Sequence, residues 1–172
     1  MVGWTGSGMN LRFVESTVPA LKRFLAEAPD ARLVVMADSF VPLTELPPER
    51  VELVRWTPEA EVRVIQDFDV GLMPLGAGQW SRGKCAFKML QYMACAVPSV
   101  VTPAGMNAQV LAMGELGLAA QSEDEWVEAL LELYRHRDRG RALGRTGRAV
   151  AESSFSIPVI APQLARALAR HG

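Results

Sequence analysis

The sequence predicts an α/β domain built on a doubly wound parallel sheet, and three observations carry that expectation. Apolar runs of strand length alternate with segments of helical periodicity along the chain. Several of those runs, such as Leu33-Val34-Val35-Met36, are apolar throughout, as strands covered on both faces require. The 172 residues, 49% hydrophobic and 22% charged, suit one globular domain with its own core. Right-handed crossovers then place ligands beyond the carboxyl ends of the strands.

The elements follow in order. Val2 to Trp4 reads as the first strand and runs into Thr5-Gly6-Ser7-Gly8, whose glycines permit close backbone approach. Leu11, Val14, Val18, Leu21, Leu25 and Ala28 share one helical face. Asn10 is a candidate cap, and Pro19 predicts a kink or a later start near Thr17. Arg32 to Ala37 is the second strand, Val51 to Arg55 the third, and Val70 to Met73 the fourth, with a helix over Glu59 to Ile65 between the last two.

A loop from Pro74 to Gly83 leads to a helix over about Lys84 to Ala96, then to strand Ser99 to Thr102. A short helix near Asn107 to Met113 and a strand over Leu116 to Ala119 follow. Ser122 and Glu125 form a capping box, Asp138 to Glu152 is another helix, and Pro158 and Pro162 bracket a turn before a last helix, Gln163 to Arg170. The ligand-facing loops are then Thr5–Met9, Asp38–Phe40, Trp56–Pro58, Pro74–Gly83 and Pro103–Asn107.

Charge and cysteine content exclude several classes. Eighteen basic and 19 acidic residues nearly cancel, so no global field recruits nucleic acid or an anionic membrane. No apolar run approaches the ~20 residues of a membrane span. Cys85 and Cys95 read as reduced thiols of a cytoplasmic protein, with a catalytic cysteine as the sharper alternative. Peripheral attachment to the inner membrane face stays open. His136 and His171 share no metal-ligand spacing with other residues, so no metal is expected.

The chemistry concentrates in Ser81-Arg82-Gly83-Lys84 and the helix after it. With a helix starting near Gly83, Ala86, Leu90, Met93 and Val97 form its apolar side and Lys84, Lys88 and Gln91 a polar stripe. A solvated face is the plain reading. Arg82, Lys84 and Lys88, however, crowd a helix N-terminus, where the macrodipole opposes cations by a few tenths of a kcal/mol or more each. Cations placed there suit a bound anion, and a diphosphate fits.

Lys88-Met89-Leu90-Gln91-Tyr92-Met93-Ala94, followed by Val97-Pro98-Ser99-Val100-Val101, resembles the K-x-x-E-Y-M-A-x-x-x-P-V-V pattern of retaining glycosyltransferases of the large GT-B family, which includes glycogen and sucrose synthases. Asp69 to Pro74, Gly3 to Ser7, and Leu143-Gly144 with Gly147-Arg148 are similar to further segments of that family, in the same order. The resemblance implies a Rossmann-like donor domain over 1–156 and, over 157–172, a helix crossing to an N-terminal acceptor domain not contained here. It implies a nucleoside-diphosphate sugar as donor substrate, no cofactor, and basic groups in place of a metal behind the leaving diphosphate. Transfer of a hexosyl unit is expected of the whole enzyme, not of this part alone.

On that resemblance, Ser7, Gly8, Arg82, Lys84 and Lys88 hold the diphosphate, and Gly83 and Gln91 stand where the family carries two glutamates for sugar and ribose. Gln91 still offers ribose a neutral hydrogen-bonding group, whereas Gly83 offers backbone only. No residue is assigned as catalytic, and Arg12 is the one candidate for the family's basic residue after the first loop. Two rival readings remain: a degenerate, non-catalytic nucleotide-binding module, and a dinucleotide-binding domain. The second rests on Gly3, Gly6 and Gly8 with Asp38 closing the second strand, but its glycine spacing is wrong. Trp56 and Trp80 either stack on a base or sugar or simply pack.

Overall fold

The computed structural model describes residues 1–40, 43–76, 78 and 83–169. Six strands, β1 (Val2–Gly6), β2 (Leu33–Ala37), β3 (Val51–Arg55), β4 (Val70–Met73), β5 (Ser99–Val101) and β6 (Gly117–Ala119), form one sheet in the order β3-β2-β1-β4-β5-β6. Every pairing is parallel. The chain winds one way from β1 through β3, then returns to lay β4 on the other side of β1. The loops after β1 and β4 therefore part from each other, opening a crevice at the carboxyl edge.

Among the described residues the α-helices are α1 (Leu11–Glu15), α2 (Val18–Glu27), α3 (Pro58–Gln66), α4 (Phe87–Ala94), α5 (Met106–Leu111), α6 (Glu123–Arg135), α7 (Arg137–Val150) and α8 (Ile157–Ala169). The break between α1 and α2 falls where Pro19 requires it. Pro19 occupies the first turn of α2, where a missing N–H costs nothing, and Thr17 turns its hydroxyl back to the Val14 carbonyl at 2.7 Å. The apolar face read from Leu11 to Ala28 is buried throughout. The capping box of α6 is complete: Ser122 Oγ accepts from the Glu125 amide at 3.3 Å, and Glu125 Oε2 accepts from the Ser122 amide at 3.0 Å.

Three expectations are corrected. The helix expected from about Lys84 begins at Phe87, because Ala86 turns into the left-handed region with φ 55° and buries its methyl. Its buried face is Met89, Tyr92 and Met93, with Leu90 only half-buried, so the apolar side is rotated from the expected one. The tail is one helix, α8, with Pro162 inside it, and no turn separates Pro158 from Pro162. Pro158 lies in the first turn, and Pro162 gives up a single main-chain bond on a helix that has no buried residue.

Two contacts lock α4 to the sheet and to α7. Tyr92 is fully buried; its hydroxyl donates to the Leu72 carbonyl at 3.1 Å and accepts from the Thr5 amide at 3.3 Å, tying β4 to the end of β1. Tyr92→Phe strands both backbone groups, and the melting free energy should fall by about 1–3 kcal/mol. An unchanged denaturation midpoint would show that the bridge contributes nothing. On the far side, Gly140, Gly144 and Gly147 line the face of α7 turned to α4 and the Pro98 turn. Arg148 donates to the Ala94 carbonyl at the C-terminal end of α4, where a cation also suits the helix dipole.

Candidate functional site

A cleft of about 460 Å³ opens at the carboxyl edge of the sheet, lined by Thr5, Gly6, Ser7, Asp38, Trp56, Glu61, Phe87, Lys88 and Gln91. It gathers the ends of β1, β2 and β3 with the first turns of α3 and α4. That is the place the topology reserves for a ligand.

Lys88 sets the cationic side. Its stem lies across Gly6, where a Cβ would meet Lys88 Cε at 2.6 Å and the Trp4 ring at 2.8 Å, so any side chain at position 6 displaces the lysine. The ammonium stands 5.4 Å from the Trp4 ring centroid. Burial, with the charge of Lys84 adding to it, pulls Lys88 from its ordinary 10.5 down to about 8. Such a poorly solvated ammonium gains from an anion.

The loop after β1 is held from two directions. Asn10 donates from Nδ2 to Ser7 Oγ at 2.8 Å and accepts from Lys84 Nζ at 3.1 Å, so Lys84 is drawn from the loop before α4 onto the β1 loop. Across the sheet, the Gly8 amide donates to Asp38 Oδ1 at 2.7 Å. That bond holds the Asp38 carboxyl below the usual carboxylate range. A Cβ on Gly8 would sit 1.9 Å from Ser39 Oγ, so the two loops touch.

The opposite side carries Trp56 and Glu61. Thr57 caps α3 by accepting from the Ala60 amide at 3.2 Å, and Pro58 fills the first turn. This places Glu61 one turn into the helix, where it accepts from the Trp56 indole Nε1 at 2.9 Å. Trp56 remains 37% exposed and Phe87 62% exposed, leaving two aromatic surfaces open to whatever enters.

Of the residues singled out in the sequence, Ser7, Lys84 and Lys88 come together around the β1 loop, and Gln91 lines the cleft one turn along α4 from Lys88. Gly8 adjoins them, but its amide serves Asp38. Gly83 lies exposed in the loop before α4. The late start of α4 leaves Lys88 as the single cation in its first turn, and Lys84, in the loop before it, reaches Asn10 beside the β1 loop instead. Arg82 and Trp80 lie outside the described residues. Asn10 caps no helix and serves as the link between Ser7 and Lys84. Arg12 lies against the Phe13 ring at 5.0 Å. Cys85 is exposed, and burial pushes the Cys95 thiol up, away from the reactive range. Glu61 escaped the sequence reading because an acid in the first turn of an amphipathic helix looks like a solvated residue.

The family model described as glycosyl transferases group 1 matches residues 2–136. No curated protein matches at a significant level. Among solved structures the chain is similar to Anabaena HepE in complex with UDP and glucose, with TM-score 0.79, 14% identity, 98% of this chain and 47% of that one. It is also similar to the C-terminal domain of LpcC, a glycosyl transferase group 1 family protein of Francisella tularensis, with TM-score 0.73, 14% identity, 91% of this chain and 86% of that one. Sucrose-phosphate synthase of Thermosynechococcus elongatus gives TM-score 0.73 and 16% identity over 98% of this chain and 45% of that one. The chain thus spans about half the length of HepE and 34% of TarM, another structural neighbour. No helix among the described residues is long and apolar enough to cross a membrane.

Proposed function

This chain belongs to the glycosyl transferases group 1 family, and from that premise we propose that its cleft holds a nucleoside-diphosphate sugar for retaining transfer to an acceptor. One observation carries the reading: Lys88 and Lys84, from two different segments, are both drawn to the Ser7 loop at the carboxyl end of β1. The UDP and glucose in the HepE complex support a nucleotide sugar as ligand class. At 14% identity that likeness carries the fold, and the base is left to the side chains lining the cleft.

In the proposed reaction the bond from the sugar's anomeric carbon to the diphosphate oxygen breaks, the acceptor hydroxyl oxygen bonds to that carbon on the same face, and the hydroxyl's proton passes to the departing diphosphate oxygen. Lys88 and Lys84 stabilise the charge growing on the departing diphosphate, the part a metal plays elsewhere. On this reading the acceptor is held by a second domain. Helix α8 leaves Ile157, Ile160, Leu164 and Leu168 exposed along one side, a spacing of three or four residues that suits docking against that domain.

The second reading, a degenerate binding module, is favoured by Gln91 standing in place of an acid and by the bare backbone at Gly83. Gln91 separates the two. If its amide grips the ribose, Gln91→Ala should weaken a ribonucleoside diphosphate several-fold, about 1 kcal/mol, while the 2′-deoxy nucleotide loses little. Gln91→Glu should tighten binding. Isothermal titration in which both variants match the wild type would make Gln91 structural and the module reading the better one.

A further inference from the structure

The two ends of the cleft differ in chemistry. The Lys88–Ser7 end is cationic, with Lys84 held beside it through Asn10, and the Trp56–Glu61 end, beside β3, offers an aromatic surface and a carboxylate. A nucleotide laid with its diphosphate on the cations puts its base at the second end. There it meets Glu61, which the Trp56 indole fixes through Oε1 at 2.9 Å.

We infer that Glu61, braced by Trp56, reads the base of the donor, and that the base it selects is guanine; the inference rests on the donor-site reading above. A carboxylate is an acceptor with two oxygens. Guanine sets two N–H donors, N1–H and the exocyclic amine, side by side on its pairing edge, and a carboxylate matches that pair. Uracil sets one N–H between two carbonyl oxygens, which a carboxylate repels. The indole bond leaves Glu61 further acceptor capacity and fixes its rotamer, so little ordering entropy is lost on binding. A helix-dipole role would explain an acid in the first turn of α3 but not its engagement by a tryptophan at the cleft wall.

The test is titration calorimetry on the 172-residue chain with the diphosphates of guanosine, inosine and uridine. GDP should bind about tenfold or more tighter than UDP. The inosine compound, which lacks the exocyclic amine, should fall between them. Glu61→Gln should cost GDP roughly tenfold and leave UDP unchanged or tighter. Trp56→Phe keeps the ring, frees the carboxylate, and should narrow the GDP-to-UDP ratio without abolishing binding. Equal affinities for GDP and UDP, or a ratio that survives Glu61→Gln in a variant melting like the wild type, overturn the base assignment alone. Failure of all three diphosphates to bind overturns the donor site and this inference with it.

Discussion

Lys88→Met is expected to lower affinity for a nucleoside diphosphate by about ten- to a hundredfold while leaving the free nucleoside almost unaffected. The ammonium acts on phosphate oxygens, and one charge-assisted bond of that kind contributes about 1.5–3 kcal/mol. The same change should stabilise the empty chain. In the folded state Lys88 has its pKa lowered from 10.5 to about 8, so between those values the unfolded chain binds the proton more readily. Stability from this group therefore rises as pH climbs from about 8 to 10.5, and below 8 the fold carries the full cost of the charge. Methionine fills the stem's space over Gly6 without that charge, and should gain about 2–3 kcal/mol at neutral pH.

Binding runs the opposite way with pH. The protonated lysine attracts the diphosphate, so wild-type affinity should begin to fall as pH rises through about 8, and the Lys88→Met profile should be flat there. Calorimetry and thermal melts across pH 6–10 check both arms. Equal losses for nucleoside and nucleoside diphosphate, or a variant no more stable than the parent, would remove Lys88 from the phosphate site.

Gly144→Val should be the most damaging single change on α7. A Cβ at that position would stand 2.0 Å from the Ala96 carbonyl oxygen, which is main chain and has nowhere to go. Ala96 adopts φ 57° just past α4, and the Val97 amide reaches back to the Tyr92 carbonyl at 2.9 Å to close the helix end. Moving that carbonyl breaks the closure and the seat of α7 together. Overpacking of this kind costs about 3 kcal/mol, roughly 6–12 °C for a chain of this size. Gly140→Ala is the control: its nearest neighbour would be Pro98 Cγ at 3.7 Å, an ordinary contact, so its melt should match or slightly exceed the wild type. If the two variants melt alike, the close approach at Gly144 is not what sets the spacing.

What the sequence disclosed, and what it hid, follows from the range of the interactions. Val51–Arg55 and Val70–Met73 were legible to the residue, because strand runs between turn signals are set locally. The start of α4 was not, since nothing in an alanine marks the left-handed turn at Ala86; the buried pocket around Met89 and Met93 imposes it. Lys88 and Gln91 were legible through their spacing on one helix. The pairing of Gly8 with Asp38 joins residues thirty apart that only the sheet makes neighbours, and Glu61 gained its place in the cleft from a tryptophan five residues earlier. The first belongs to the topology, and the second needs the turn between β3 and α3, which no apolar spacing announces.

The bond between Asp38 and the Gly8 amide means that the β1 loop carries an anion supplied by the protein itself. In the donor site proposed above, a phosphate oxygen at that amide would have to replace the carboxylate, which would return to water. On that reading, ligand entry here would exchange one anion for another, with the main-chain dipole never left bare.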